Sequence, residues 1–130
     1  MLAGIAVCAG QSVGPARGAL VIAGGGKLGA EILNRFMELA GGRESSVVVI
    51  PTAQEDGAIR SGWLEKSPPA GVGMRNPRGL HTRDRAVADS EEFVAPLRQA
   101  RGVWFEGGRQ WRLVDSYLGT RTEHCWRAAV

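Results

Sequence analysis

Apolar residues occur in short blocks along the chain, and the spacing within each block predicts alternating strands and helices. Residues 19–23 are continuously apolar and are followed by three glycines, as is typical of a strand buried on both faces. Residues 47–50 are β-branched and are followed by Pro51, which predicts a second buried strand. Residues 80–82 are interpreted as a short third strand, and residues 102–105 as a fourth.

Helical spacing appears between the first two predicted strands. Four apolar residues recur at steps of four, which predicts an amphipathic helix that ends at Gly41 and Gly42; they are Leu28, Ile32, Phe36 and Ala40. Residues 55–66 have a weaker pattern and are interpreted as a second helix. Residues 67–79 contain three prolines and several glycines, which predicts a loop that is neither a helix nor a central strand.

Two further helices are predicted in the second half of the chain. Asp89 followed by Glu92 is a helix-start signature, and the helix after it has three inward-facing residues, Phe93, Leu97 and Ala100. The last predicted helix covers residues 110–118 and has an inner face of Trp111, Val114 and Leu118. Strands that alternate with helices predict an α/β domain whose parallel sheet is covered by helices on both faces.

The composition narrows the class of protein. A chain of 130 residues, of which 44% are hydrophobic and 22% charged, has room for one domain with a real core. The net charge of +3 is too small to indicate a nucleic-acid partner. The arginine-rich segment from residue 75 to residue 85 has Asp84 within it and Asp89 beside it, and it lacks an aromatic residue that could stack on bases, so it is interpreted as a solvated loop.

We expect no metal, no cofactor and no membrane span. Cys8 and Cys125 lie at opposite ends of the chain, and neither has a second cysteine at metal-ligand spacing. His124 is adjacent to Cys125, and neighbouring residues rarely bind the same ion. No segment approaches the roughly eighteen apolar residues that a transmembrane helix requires.

Residues 1–17 are interpreted as an apolar leader that precedes a partial α/β domain at residues 18–130. Residues 2–9 are apolar, and the small residues at positions 7–9 resemble the end of a secretory signal. No Lys or Arg precedes the apolar run. The sequence therefore leaves export and a cytoplasmic location equally open.

Candidate binding residues lie at the ends of the predicted strands. Ligands of open parallel sheets bind at the carboxyl ends of the strands, and a candidate pocket there comprises Gly25, Gly26, Thr52 and Arg83. Gly107 and Gly108 come just after the fourth predicted strand, one residue beyond its end, and leave backbone N–H groups open beside a helix start at Gln110. Such donors suit an oxyanion or a carboxylate. A plain strand-to-helix turn is the alternative interpretation.

Other motifs carry less weight. Residues 24–29 match a dinucleotide pattern, but the second strand ends at Pro51 and Thr52, where the pattern requires an acid. A nucleotide-binding domain is therefore the third and weakest functional hypothesis. The alternative interpretation of these glycines is a tight turn that lets a helix and a strand pack closely. None of the seven serines follows a buried strand at a sharp glycine turn. His81 has no nucleophile to serve and is interpreted as structural.

Five segments, taken in order, resemble the cyanophycinase-like serine peptidases, a family that also includes aspartyl dipeptidase E. They are residues 18–26, 36–42, 48–53, 80–85 and 102–113. The resemblance implies a fold like that of the class I glutamine amidotransferases, a flavodoxin-like three-layer sandwich. It also implies cleavage of peptide or isopeptide bonds next to aspartyl groups by a serine in a Gly-Thr-Ser-Ala-Gly type elbow. Gly107, Gly108 and Gln110 correspond to the Gly-Gly-x-Gln segment that helps to hold the substrate carbonyl.

The resemblance concerns the N-terminal portion of that family only. The nucleophile elbow would follow roughly twenty residues after Gly119, so we expect a truncated fold, no catalytic nucleophile and no activity from this chain alone. Residues 67–79 also depart from the helix and strand that the family has there. The alternative is a non-catalytic module that binds an acidic peptide or a carboxylate at residues 107–110. The sequence is compatible with a homo-oligomer.

Overall fold

A computed structural model describes residues 18–128, which form a three-stranded parallel sheet with helices on both sides. The elements in order are α1 (Ala30–Ala40), β1 (Ser46–Ile50), a 3-10 turn (Leu64–Lys66), α2 (Pro68–Gly71), β2 (Asn76–Gly79), α3 (Arg85–Ala88), α4 (Glu91–Gln99), β3 (Gly102–Phe105), α5 (Gln110–Tyr117) and α6 (Arg121–Ala128). The leader predicted at residues 1–17, including Cys8, lies outside the described residues. None of the helices described is both long and apolar enough to cross a membrane.

The sheet has the order β2-β1-β3, so β1 is its central strand. Both neighbours run parallel to β1, and Val48 lies opposite Arg78 on one side and Val103 on the other. The last four residues of β1 are completely buried. The prediction of a parallel α/β sheet is confirmed for these residues, and the architecture is consistent with a flavodoxin-like fold.

Side chains alternate between the two faces of β1 and build two separate cores. Val47 and Val49 face the core that also contains Trp104 and residues of α1, the 3-10 turn and the segment around Met74. Val48 and Ile50 face the second core, which is completed by residues of α3, α4, α5 and α6. The prediction of helices on both faces is therefore confirmed.

The first helix forms as its spacing predicts. Phe36, Met37 and Ala40 of α1 pack against the first core. Gly41 ends the helix in the left-handed region with φ of 104°, where a residue with a Cβ is disfavoured. Its N–H donates to the Glu38 carbonyl at 3.0 Å, and the Gly42 N–H donates to the Met37 carbonyl at 2.9 Å.

The predicted strand at residues 19–23 is wrong. No strand is present between residue 18 and α1, and the side chains of Leu20 and Ile22 are 62% and 85% exposed. A continuous apolar run becomes a buried strand only when a neighbouring strand completes its hydrogen bonds. Both edges of β1 are already occupied by β2 and β3, and no described strand pairs with this segment.

The segment between β1 and α3 also differs from its prediction. The strand expected at residues 80–82 lies at Asn76–Gly79 instead, inside the segment predicted to be a loop. Because β2 is an edge strand, Pro77 can occupy it without breaking the sheet. Residues 55–66 form turns and one 3-10 turn rather than a helix. A short helix, α2, begins with two prolines in its first turn, where no N–H is required.

The start of α4 and the inner face of α5 are corrected by the structure. The N-cap of α4 is Ser90, which accepts from the Phe93 N–H at 3.2 Å, while Asp89 accepts from the Arg121 N–H at 2.8 Å. In α5 the predicted inner residues are exposed: Trp111 by 57%, Val114 by 48% and Leu118 by 52%. Tyr117 is fully buried instead, because its phenol reaches the end of β1 and fixes the rotation of the helix.

Candidate functional site at the carboxyl ends of the strands

A buried threonine lies at the centre of the candidate site. Thr52 follows the carboxyl end of β1 and is completely buried. Its Oγ1 lies 2.9 Å from His81 Nδ1 and 2.7 Å from the Tyr117 hydroxyl. The Tyr117 hydroxyl also accepts from the Thr82 N–H at 3.2 Å. These bonds join the ends of β1 and β2 to the last turn of α5.

The surroundings favour the neutral forms of both titratable members of this network. Partial burial lowers the pKa of His81 from its ordinary value, and the positive charge of Arg83 lowers it further, while Asp56 opposes the shift. Burial raises the pKa of Tyr117, against the opposing effect of its hydrogen bonds to Thr52 and Thr82. The network therefore consists of neutral groups at neutral pH.

Arg83 holds the turn that follows β1. Its guanidinium donates to the Thr52 carbonyl at 2.6 Å and to the Gln54 carbonyl at 2.8 Å. It also binds the Asp56 carboxylate through two nitrogens, at 3.0 and 2.9 Å. The hydrogen bond from Arg83 lowers the pKa of Asp56. Arg83 thus lies at the predicted site, with its donors committed to the protein's own backbone and to one carboxylate.

The glycine turn after β3 packs directly against the same segment. Gly108 has φ of 151°, and a Cβ placed on it would lie 2.6 Å from the carbonyl carbon of Ala53. The Arg109 N–H donates to the Ala53 carbonyl at 2.8 Å, and the Arg112 side chain donates to the same oxygen at 3.0 Å. Only glycine fits at position 108, because any side chain would collide with the backbone at Ala53.

Three backbone donors at this turn remain available for a ligand. The N–H groups of Gly107, Gly108 and Gln110 donate to no residue within 18–128. All three residues are exposed, and Gln110 is the first residue of α5, so the positive end of the helix lies beside them. The Arg109 N–H is excluded from this set, since Ala53 already accepts from it.

The structure brings together most of the residues predicted from the sequence. Thr52 belongs to the segment after β1, Arg83 and Gly108 contact that segment, and Gln110 follows the glycine turn. Gly25 and Gly26 share no contact with this cluster. No atom lies within 4 Å of a Cβ built on either glycine, and Gly26 has φ of 107°.

A surface cleft of about 530 Å³ lies beside the cluster. It is lined by Glu55, Asp56, Arg83, Trp111, Arg112, Asp115 and Ser116. The Trp111 ring is mostly exposed, and the Arg112 guanidinium lies 5.2 Å from its centroid. The cleft offers an apolar wall between charged groups of both signs.

Glu106 immediately precedes the glycine turn and is partly buried. Burial raises the pKa of its carboxyl group, and the neighbouring Trp104 indole opposes that rise. No hydrogen bond of normal geometry joins the two side chains, and the buried Trp104 Nε1 has no partner among the described residues. A carboxyl group whose pKa is raised by burial therefore lies next to the candidate anion-binding turn.

Sequence reasoning missed Tyr117 and Trp111. Tyr117 is the only tyrosine of the chain, and a lone phenol at helical spacing from Leu113 could have indicated the true inner face. Trp111 was predicted to be buried, so its place on the wall of the cleft was not foreseen. Within residues 18–128, no three His, Cys, Asp or Glu residues are placed to share a metal ion.

Comparison with curated proteins identifies relatives of this chain. The cyanophycinases of Synechococcus elongatus and Thermosynechococcus vestitus are each 35% identical to it over 85 residues, which is 65% of this chain and 26% of each relative. The chain is similar to cyanophycinases. That of Geminocystis herdmanii is 29% identical over 85 residues, which is 31% of its length. No protein-family model matches the chain.

These cyanophycinases support a cyanophycinase-like relationship over about two thirds of the chain. The chain spans about a quarter to a third of the length of these relatives.

Proposed function

We propose that this chain forms the substrate-carbonyl-binding part of a serine-type peptidase that hydrolyses aspartyl peptide or isopeptide bonds. The proposal includes a fold like that of the class I glutamine amidotransferases and a wider relationship to aspartyl dipeptidase E. The observation that carries it is the turn of Gly107 and Gly108, which is fixed against Ala53 and has unpaired N–H groups. The similarity to cyanophycinases supports the assignment to a peptidase.

The turn has the properties that stabilisation of a tetrahedral intermediate requires. When a nucleophile attacks a carbonyl carbon, negative charge develops on the carbonyl oxygen, and fixed N–H donors lower the energy of that state. The bond from the Arg109 N–H to Ala53 fixes this turn before a substrate arrives. Gln110 adds a side-chain amide at the start of α5, where it would hold the substrate beside the turn.

The nucleophile is proposed to belong to an elbow that these residues do not supply. The seven serines include none at a strand-to-helix glycine turn. A rival proposal is a non-catalytic module that holds an acidic peptide or a carboxylate at the same turn. The unpaired N–H groups favour both proposals equally, so catalysis has to be tested separately from binding.

Binding can be tested on the chain itself. A β-aspartyl dipeptide titrated into ¹⁵N-labelled protein should shift the amide resonances of Gly107, Gly108 and Gln110. Gln110→Ala should weaken binding about fivefold or more, because the carbonyl group of the dipeptide loses a hydrogen-bond donor. Asn34→Ala, which removes an exposed amide from α1, is the matched control and should leave binding unchanged. Equal effects of the two substitutions would contradict the placement of the site.

Hydrolysis can be tested in a longer polypeptide that joins this chain to a nucleophile elbow. Gln110→Ala should lower turnover, and loss of a donor at such a turn typically costs on the order of 10²–10³ in kcat. Gly108→Val should abolish turnover, and His81→Ala should have a much smaller effect. Release of the amine product is measured by chromatography. A polypeptide that binds the dipeptide through Gln110 but cleaves nothing would establish the binding module instead.

A further inference from the structure

The amino ends of the three strands are surrounded by arginines. Arg75 and Arg101 directly precede β2 and β3, and Arg43 lies three residues before β1. Because the strands are parallel, their amino ends lie at one edge of the sheet. Backbone bonds hold this edge together: the Arg75 N–H donates to the Arg43 carbonyl at 2.9 Å, and the Arg101 N–H donates to the Ser46 carbonyl at 2.8 Å.

A second cleft, of about 480 Å³, opens at this edge. It is lined by Ser46, Arg75, Asn76, Pro77, Arg78 and Gln99. We refer to Arg43, Arg75 and Arg101, together with Arg78, the third residue of β2, as the amino-end rim. The cleft thus combines two guanidinium groups of this rim with hydroxyl and amide groups from β1, β2 and α4.

Most of the positive charge of the rim is not neutralised. Within residues 18–128, Arg43, Arg78 and Arg101 form no ion pair, and Arg75 pairs with Glu44 at 2.9 Å. Both members of that pair are 69% exposed, so water screens it strongly. Among residues 18–128, the four arginines of the rim therefore form an ion pair with one carboxylate, that of Glu44.

We propose that the amino-end rim is a docking surface for a carboxylate-rich polypeptide segment. Guanidinium groups bind carboxylates through two parallel hydrogen bonds, and the cleft offers several donors within one recess. A nucleic acid is the less suitable partner, because single-stranded bases require aromatic side chains to stack on and no aromatic residue lines this cleft.

This surface is separate from the candidate peptidase site. Arg43, Arg75 and Arg101 lie at the amino ends of the strands, which are about 15 Å from the carboxyl ends, and Arg78 lies between them, opposite Val48 of β1. The proposal therefore does not depend on the proposed function, and residues of the glycine turn provide an internal control.

The test measures fluorescence anisotropy of labelled octa-aspartate with the full chain at low ionic strength. Arg78→Glu should weaken binding about fivefold or more, and the double variant Arg75→Glu/Arg78→Glu should weaken it further. Arg60→Glu is the matched control, because it makes the same change of charge at an exposed arginine outside the rim. It should have less than half the effect of Arg78→Glu. Circular dichroism verifies that each variant is folded.

Three outcomes would overturn the proposal. Equal weakening by Arg60→Glu and Arg78→Glu would show that only the overall charge matters. Tighter binding of a single-stranded octathymidylate than of octa-aspartate would indicate a nucleic-acid partner. Loss of octa-aspartate binding in Gln110→Ala would place the peptide at the glycine turn, in which case the proposed function survives and this inference fails.

Discussion

The hydroxyl oxygens of Thr52 and Tyr117 lie 2.7 Å apart, although 65 residues separate them in the chain. Both residues are completely buried. The Tyr117 ring also packs edge-on against Trp126 of α6, with the ring centroids 5.4 Å apart. A single side chain thus connects the end of the central strand to the last two helices and determines which face of α5 is buried.

Tyr117→Phe should destabilise the fold by about 1–3 kcal/mol. The substitution keeps the ring but leaves the Thr82 N–H without its partner and removes one of two partners from the Thr52 hydroxyl. Urea denaturation measures the loss. Trp111→Phe, on the exposed side of the same helix, should change the free energy of unfolding by less than about 0.5 kcal/mol. Similar losses in both variants would contradict the role of the hydroxyl.

Gly108→Ala should destabilise the fold by more than about 1 kcal/mol, because its methyl group would collide with the Ala53 backbone and φ there is positive. Gly107→Ala is the neighbouring control. No atom lies within 4 Å of a Cβ placed on Gly107, and its φ is not positive. Thermal denaturation should therefore separate two adjacent variants, with Gly107→Ala close to the parent. A harmless Gly108→Ala would show that the turn is not packed as described.

The pKa of His81 should make stability fall in mildly acidic solution. Burial and Arg83 hold this pKa below the ordinary value of 6.5. As the pH falls through 6.5, the unfolded chain binds a proton that the folded chain resists, so the free energy of unfolding decreases until the folded pKa is reached. His81→Asn should lack this part of the pH dependence. NMR titration of the imidazole gives the folded pKa directly, and a value above 6.5 would reverse the prediction.

Glu106→Gln should stabilise the fold at neutral pH. Burial raises the pKa of Glu106 above its ordinary value of 4.5, so the folded state resists an ionisation that the unfolded state accepts. The gain should be complete above the folded pKa and should vanish below pH 4.5, where both states are protonated. Urea denaturation at pH 7 and at pH 4 measures it. A stabilisation that is the same at both pH values would have another cause.

The spacing of apolar residues and glycines along the chain correctly predicted two strands and the end of the first helix. Residues 47–50 and 102–105 are strands, and the helix before Gly41 ends where its glycines indicated. The glycine turn at residues 107–108 was also located correctly, since a turn after a buried strand requires flexible backbone. Two of the residues proposed for the site, Arg83 and Gly108, contact the segment that contains a third, Thr52.

Other features depend on contacts between distant parts of the chain. The apolar pattern of α5 does not determine which side of the helix is buried, because Trp111 and Tyr117 lie on different sides and either could face the core. The hydrogen bond between Tyr117 and Thr52 places the Tyr117 side inward. Residues 19–23 have the composition of a strand, yet no neighbour in the sheet pairs with them. Pro77 argues against a central strand, and it could be placed in β2 only once that strand was known to lie at an edge.

Pro77 makes the sheet unequal at its two edges. The Leu80 N–H points inward and donates to Val49, and strand alternation therefore directs the nitrogen of residue 77 outward, where proline has no hydrogen to offer. A strand that paired with the outer edge of β2 would lack one backbone hydrogen bond at Pro77. Prolines on edge strands prevent aggregation through sheet edges in this way. The outer edge of β3 has no proline. A further strand, from this chain or from a second molecule, would therefore pair more favourably with the outer edge of β3 than with the outer edge of β2.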